Sequence, residues 1–222
     1  RGEEISRPYE RLVDEVRDLA GDGVTEVTLL GQNVNSYGRD LTLAARQAGD
    51  QSVKVRPLFA DLLRSVGAVE GIRRVRFTSP HPKDLRPETI AAMAETPEVC
   101  EHLHLPLQSG SNRALAAMHR GYTADARAAI PGLAVTTDLI VGFPGETEDD
   151  FDQTLAVAAA AEYDSAYTFI YSPRPGTEAA EMVDQFVDPD VVADRFDRLK
   201  VVLERSALAK HEARIGRVEE VV

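Results

Sequence analysis

The chain has 222 residues, a net charge of −12 and a single cysteine, Cys100. That length suits one large α/β core that needs no staples, since folding buries roughly 70–75% of such a chain's surface. The acidic balance excludes a protein that grips nucleic acid with its whole surface, the lone cysteine excludes an intrachain disulfide or thiolate cluster, and no apolar run approaches the ~20 residues of a membrane span.

Ser6 is a candidate cap for a first helix with Pro8 in its first turn. Tyr9, Leu12, Val13, Val16 and Leu19 recur there at helical spacing, and Gly21-Asp22-Gly23 ends it. Val24 to Leu30 reads as a buried strand. Residues 39 to 56 show no strong period and read as a surface loop or insertion. Helix over Pro57 to Val66, strand over Arg74 to Thr78, helix over Arg86 to Ala94 and strand over Leu103 to Leu107 follow. Ser111 caps a helix through Met118. Only seven residues, Ala124 to Ile130, separate Gly121-Tyr122-Thr123 from Pro131-Gly132. A short helical turn or a chain that has lost residues are the two readings, and the second is preferred. Strand over Val135 to Gly142, helix over Glu148 to Ala161 with Thr147 as cap, and strand over Ala166 to Tyr171 come next. A long helix from Val191 to about Ile215 bears Phe196, Leu199, Leu203 and Leu208.

Strands alternating with helices, without hairpins, imply parallel strands joined by crossovers. Five strands are too few for a closed eight-stranded barrel, so an open or partial barrel is expected. The opening helix has no strand in this chain to cross over from, and the missing strand would be the first. The start, Arg1-Gly2-Glu3-Glu4, is neither an initiator Met nor a signal peptide and reads as the interior of a longer polypeptide.

Unusual residues gather where the five strands end. The tips read Leu29-Leu30-Gly31-Gln32-Asn33-Val34-Asn35-Ser36-Tyr37-Gly38, then Arg76-Phe77-Thr78-Ser79-Pro80-His81-Pro82, then His102-Leu103-His104-Leu105-Pro106-Leu107-Gln108-Ser109-Gly110-Ser111-Asn112. The last two are Asp138-Leu139-Ile140-Val141-Gly142-Phe143-Pro144-Gly145-Glu146-Thr147 and Phe169-Ile170-Tyr171-Ser172-Pro173-Arg174-Pro175-Gly176-Thr177. In barrels of parallel strands, the carboxyl ends of the strands form the active-site face. Arg73, Arg74, Arg76, Lys83 and Arg86 form a basic run, read either as a solvated rim or as a phosphate-facing patch. His102 and His104 share one side of a strand at a spacing that suits a metal, but no third ligand is evident. Cys100 reads as a small buried hydrophobe.

These tips, in this order and at these intervals, resemble the radical S-adenosylmethionine methylthiotransferases over nearly the whole chain. Their wording is nearest to the branch that acts on dimethylallyladenosine beside the anticodon of tRNA. The resemblance implies a partial (β/α)6 radical-SAM barrel whose first strand and cluster loop lie outside this chain. It implies residues 1–216 as that core, and 217–222 as the start of a carboxyl-terminal RNA-binding β-domain. It implies S-adenosylmethionine and two [4Fe–4S] clusters as cofactors. The Cys-x-x-x-Cys-x-x-Cys loop of the family is absent from this sequence, so no metal ligand is expected in this chain and the fragment is expected to be inactive alone.

By the same resemblance, Gln32 and Asn33 face the methionine moiety, where amides accept from an ammonium and donate to a carboxylate. Ser79, Gln108, Ser109, Arg120, Asp138 and Gly142 complete the expected cofactor set. For Gln32 and Asn33 the alternative is loop structure, for Arg120 a helix-end cation, and for Gly142 a plain strand-to-helix turn. His81, Tyr171 and Arg174 are the expected substrate contacts. A tRNA substrate, a flavodoxin- or ferredoxin-type electron donor, a monomer, cytoplasmic location and no membrane association are implied. The open alternatives are a sister enzyme acting on threonylcarbamoyl-adenosine tRNA or a ribosomal-protein aspartate, and a non-catalytic RNA-binding remnant.

Overall fold

A computed structural model describes residues 5–106, 126 and 128–218. The chain divides into two compact units, Arg1–Leu105 with Ala124–Leu133, and Pro106–Thr123 with Ala134–Val222. The expected helix after Ser111 lies outside the described residues.

In the first unit the described elements are α1 (Tyr9–Gly21), β1 (Glu26–Leu29), α2 (Arg39–Gln47), α3 (Phe59–Gly67), β2 (Arg74–Phe77), α4 (Pro87–Glu95) and β3 (His102–His104). β1 and β2 run parallel, in register from Glu26 opposite Arg74 to Leu29 opposite Phe77. A parallel bridge joins Val75 to Val99. α3 supplies the core, burying Phe59, Leu62, Leu63 and Val66. The Phe59 ring meets Phe77 edge-on at 5.2 Å, a geometry that aromatic quadrupoles favour.

Two expectations change here. Ser6 does not cap α1, whose preceding residue Pro8 makes no side-chain cap. Its hydroxyl instead accepts from the Gly38 amide at 2.9 Å, and its own amide donates to Asp40. Residues 39–47 are helical rather than loop. The buried position of α2 is Thr42, whose hydroxyl donates to the Arg39 and Arg56 carbonyls and accepts from the Arg56 amide. A helix anchored by a threonine leaves no apolar stripe to read.

In the second unit, β4 (Ala134–Val141) alternates strictly between half-buried and buried residues. It pairs in parallel with β5 (Ser165–Ile170), from Thr136 opposite Ser165 to Val141 opposite Ile170. Between them runs α5 (Glu148–Ala161), opened by a reciprocal capping box. The Thr147 hydroxyl accepts from the Asp150 amide, and the Asp150 carboxylate accepts from the Thr147 amide. α6 (Glu178–Glu181) and α7 (Pro189–Glu212) follow. The buried stripe of α7 is Val192, Arg195, Leu199 and Leu203. Of the residues expected on that stripe, Leu208 is exposed and Phe196 half-buried, and the stripe includes the charged Arg195.

Candidate functional site

Parallel pairing sends the loops after β1 and β2 out from the same end of the first unit. They are stitched together there. The Val34 amide donates to the Ser79 carbonyl at 3.3 Å. The Asn33 Nδ2 donates to Asp84 Oδ2 at 2.8 Å, and Asp84 is buried. An ionised carboxylate only accepts, so this contact fixes the Asn33 amide with Oδ1 as its free end. That oxygen is buried and has no hydrogen-bond partner among the described residues. Gln32, beside it, is exposed.

In the second loop Ser79 sits at φ 56°, a left-handed conformation that residues other than glycine seldom adopt. Its side chain is exposed. His81 is exposed too, and its Nδ1 accepts from the Lys83 amide at 3.2 Å. In the neutral ring this leaves the proton on Nε2, turning that nitrogen into a donor. A groove of about 620 Å³ extends from the loop after β1 along β1 and α1, lined by Leu12, Val16, Val27, Leu29, Gln32 and Asn33 among others. Tyr37, also on its wall, donates to the Arg7 carbonyl, and burial pushes its phenol up to about 12.

The second unit has its own pair of strand-end loops. Gly142 follows β4 at φ 78°, and a Cβ there would come within 2.7 Å of Val192. Glycine is therefore required by the backbone and by α7. The Gly142 amide donates to Glu146 Oε2 at 2.9 Å. That carboxylate meets Arg195 at 2.9 Å, with the two side chains 3% and 5% exposed. Arg195 also donates to the Glu146 carbonyl and to Glu148. The turn after β4 is thus closed on itself and held by α7.

After β5, the Tyr171 ring lies edge-on to Phe143 at 5.4 Å and Phe186 at 6.0 Å. Its hydroxyl is buried without a hydrogen-bond partner among the described residues. Arg174 is exposed, while its carbonyl accepts from the Thr177 amide and hydroxyl. Asp138 is placed in the middle of β4 rather than at a tip, opposite Tyr167 in register. Side chains of residues paired in register share a face, so Asp138 and Ile140 lie on one face with Tyr167 and Phe169. The two aromatic residues are 67% and 52% exposed.

Of the expected cofactor residues, the first unit brings together Gln32, Asn33 and Ser79, with His81 beside them. The second brings together Gly142 and Tyr171, with Asp138 farther down β4. Gln108, Ser109 and Arg120 lie outside the described residues. Four residues that organise these loops were not singled out from sequence: Asn35, Asp84, Glu146 and Arg195. Only Arg195 carried a signal, as a charge at the position between Val192 and Leu199 on an otherwise apolar helical stripe.

The basic run is partly spent within the fold. Arg74 and Arg76 converge on Glu26 at 2.6 and 2.9 Å. Hydrogen bonds from Arg74 and then Arg76 hold that carboxyl below its ordinary value. Lys83 and Arg86 remain exposed. Cys100 is half-buried, and burial raises its thiol, which disfavours the reactive thiolate. Among the described residues no group of three or more His, Cys, Asp or Glu side chains is arranged to hold a metal, and no helix is long and apolar enough to cross a membrane.

Residues 1–158 match the Radical SAM superfamily. The whole chain is 54% identical to a protein of Acidothermus cellulolyticus named tRNA-2-methylthio-N(6)-dimethylallyladenosine synthase, covering 44% of it. It is 49% identical to the Moorella thermoacetica protein of the same name, covering 49% of that. The chain therefore spans less than half the length of these curated relatives. Among solved structures, coproporphyrinogen III oxidase HemN of Escherichia coli, described as a radical SAM enzyme, aligns over 89% of this chain and 46% of its own, with a TM-score of 0.54 at 15% identity. Streptococcus suis SuiB bound to S-adenosylmethionine aligns over 94% of this chain and 43% of its own, with a TM-score of 0.51 at 11% identity. These structural likenesses speak to fold alone, a mixed α/β arrangement of parallel strands and helices consistent with a partial barrel. With 158 of its 222 residues matched, this chain belongs to the Radical SAM superfamily.

Proposed function

We propose that the whole protein is a radical-SAM methylthiotransferase that adds a methylthio group to dimethylallyladenosine next to the anticodon of tRNA. The observation that carries this reading is 54% identity over the full chain to a relative bearing that name. Residues 1–216 are read as the catalytic core and 217–222 as the start of an RNA-binding β-domain.

The residues present fit S-adenosylmethionine at one identifiable point. An ammonium carries only donors, and Asn33 Oδ1 is an acceptor left without a donor among the described residues. Asn33 and Gln32 are the proposed seat of the cofactor's amine. Ser79, Gln108, Ser109, Arg120, Asp138 and Gly142 make up the rest of the proposed cofactor set. His81, with Nε2–H turned outward, Tyr171, with its unpartnered hydroxyl, and Arg174 are the proposed substrate contacts. The superfamily match implies a [4Fe–4S] cluster as well, and the reading adopted here includes two. One cysteine does not fit the thiolate set that a cluster needs, so no cluster ligand is assigned to these residues. When bound, cofactor and cluster supply radical chemistry. The chain's own part is to orient the cofactor, exclude water and choose the substrate. A flavodoxin- or ferredoxin-type electron donor, a monomeric state and a cytoplasmic location complete the proposal.

The test is nucleoside mass spectrometry of tRNA from cells lacking the gene. Loss of methylthio-isopentenyladenosine, with the unmodified precursor accumulating, is the expected result. An unchanged level, in a cell that normally makes this nucleoside and has no second copy, overturns the reading in favour of one of the sister activities.

A further inference from the structure

Asn35 takes no part in the cofactor set above, yet it is 1% exposed. Its Nδ2 donates to the His81 carbonyl at 2.9 Å, and its Oδ1 accepts from the His81 amide at 2.7 Å. Both ends of one side-chain amide thus meet the backbone N–H and C=O of one residue, 46 residues away in sequence. β1 and β2 have already ended at Leu29 and Phe77. The side chain supplies a rung of hydrogen bonding where the strands no longer can.

Two further links run alongside, from Asn33 to Asp84 and from Val34 to Ser79. Between them Ser79 is held in its left-handed conformation. A non-glycine residue keeps such a conformation only where its surroundings over-determine it, and such sites cluster at ligand clamps.

We propose that Asn35 is a positioning residue that locks the loops after β1 and β2 into one preformed edge, so that Asn33 and Gln32 on one loop and Ser79 on the other meet the cofactor already ordered. This rests on the S-adenosylmethionine-binding reading given under Proposed function. Pre-organisation raises affinity by removing the ordering that binding would otherwise have to impose. Breaking the clamp therefore weakens cofactor binding while the chemistry at saturation is retained.

The experiment titrates full-length protein with S-adenosylmethionine by calorimetry. Asn35→Asp keeps the shape but sets an oxygen against the His81 carbonyl, and Asn35→Ala removes both bonds. Kd is expected to rise about ten- to a hundredfold, with binding stoichiometry kept and turnover at saturating cofactor and tRNA retained. A purely structural role gives the opposite split, in which stoichiometry falls with the fraction folded and Kd does not move. That split overturns the proposal, as does wild-type affinity in both variants. Should both Asn35 variants fail to fold, Asp84→Asn weakens the neighbouring link and is expected to raise Kd severalfold, and an unchanged Kd there overturns the proposal. If the unaltered protein itself binds no S-adenosylmethionine, the parent reading fails and this one falls with it.

Discussion

Removing the Arg195 side chain should damage the second unit far more than removing Arg198, one turn along α7. Arg195 is buried and donates to three oxygens, two of them on Glu146 and one on Glu148. Its guanidinium also lies 5.6 Å from the centre of the Phe151 ring. In Arg195→Ala the Glu146 carboxylate, 3% exposed, keeps only the Gly142 amide among these contacts. Breaking a buried pair from one side costs about 3–5 kcal/mol. For a chain of this size each kcal/mol moves the melting midpoint by roughly 2–4 °C, so a drop of roughly 6–20 °C is expected. Arg198 pairs with Glu148, Asp152 and Asp194 at the surface, where ion pairs contribute little. Arg198→Ala should leave the midpoint near wild type. The double variant Arg195→Met with Glu146→Gln should recover most of the loss, because it removes both charges together. Thermal melts followed by circular dichroism make the measurement. Equal midpoints for Arg195→Ala and Arg198→Ala would refute the claim that burial sets the cost.

Two more outcomes follow from the same geometry. Gly142→Ala places a Cβ against Val192 at φ 78° and should cost at least the roughly 1–2 kcal/mol of a left-handed L-residue; adding Val192→Ala should return the steric part but not the conformational part, as read from denaturation midpoints. The Glu26 carboxyl is lowered by Arg74 and Arg76, so its contribution is complete above the ordinary glutamate value of about 4.3 and is lost as pH falls through the lower folded value. The stability gap between wild type and Glu26→Gln should accordingly be flat at neutral pH and close only in that acidic window, and a gap that persists below it would count against the pairing.

How far the sequence could be read depended on whether burial followed an apolar period. α5 is found at Glu148–Ala161, the expected span, because its capping box is local. Four of the strands were legible within two residues, while the strand expected over Leu103–Leu107 is found at His102–His104. α2 was not, since the residue it buries is Thr42 and the hydrogen bonds that anchor it reach Arg56, fourteen residues on. The tips were legible as polar strand ends, but their internal order was not. Asn35 meets His81 across 46 residues and Arg195 meets Glu146 across 49. Such pairings have no local signature, and an asparagine in a loop looks the same whether it clamps a neighbour or faces a ligand.

The contrast between satisfied and unsatisfied polar groups separates framework from site. Arg195 and Asn35, both deeply buried, have their polar atoms engaged with carboxylates or peptide groups, as folding requires of buried polar atoms. Asn33 Oδ1 and Tyr171 Oη are buried without partners among the described residues. Both lie in loops that follow a strand, one in each unit. Leaving a buried acceptor or hydroxyl unpaired costs about 1–3 kcal/mol. A cost placed at the tips and spared at the frame is what a ligand-binding edge would carry, because a donor or acceptor arriving with the ligand recovers it. On the proposed reading, Asn33 in the first unit and Tyr171 in the second are each a position where an arriving ligand group would recover that cost, while the Asn35 clamp holds the loops of the first unit and the Glu146–Arg195 pair holds the turn after β4 in the second.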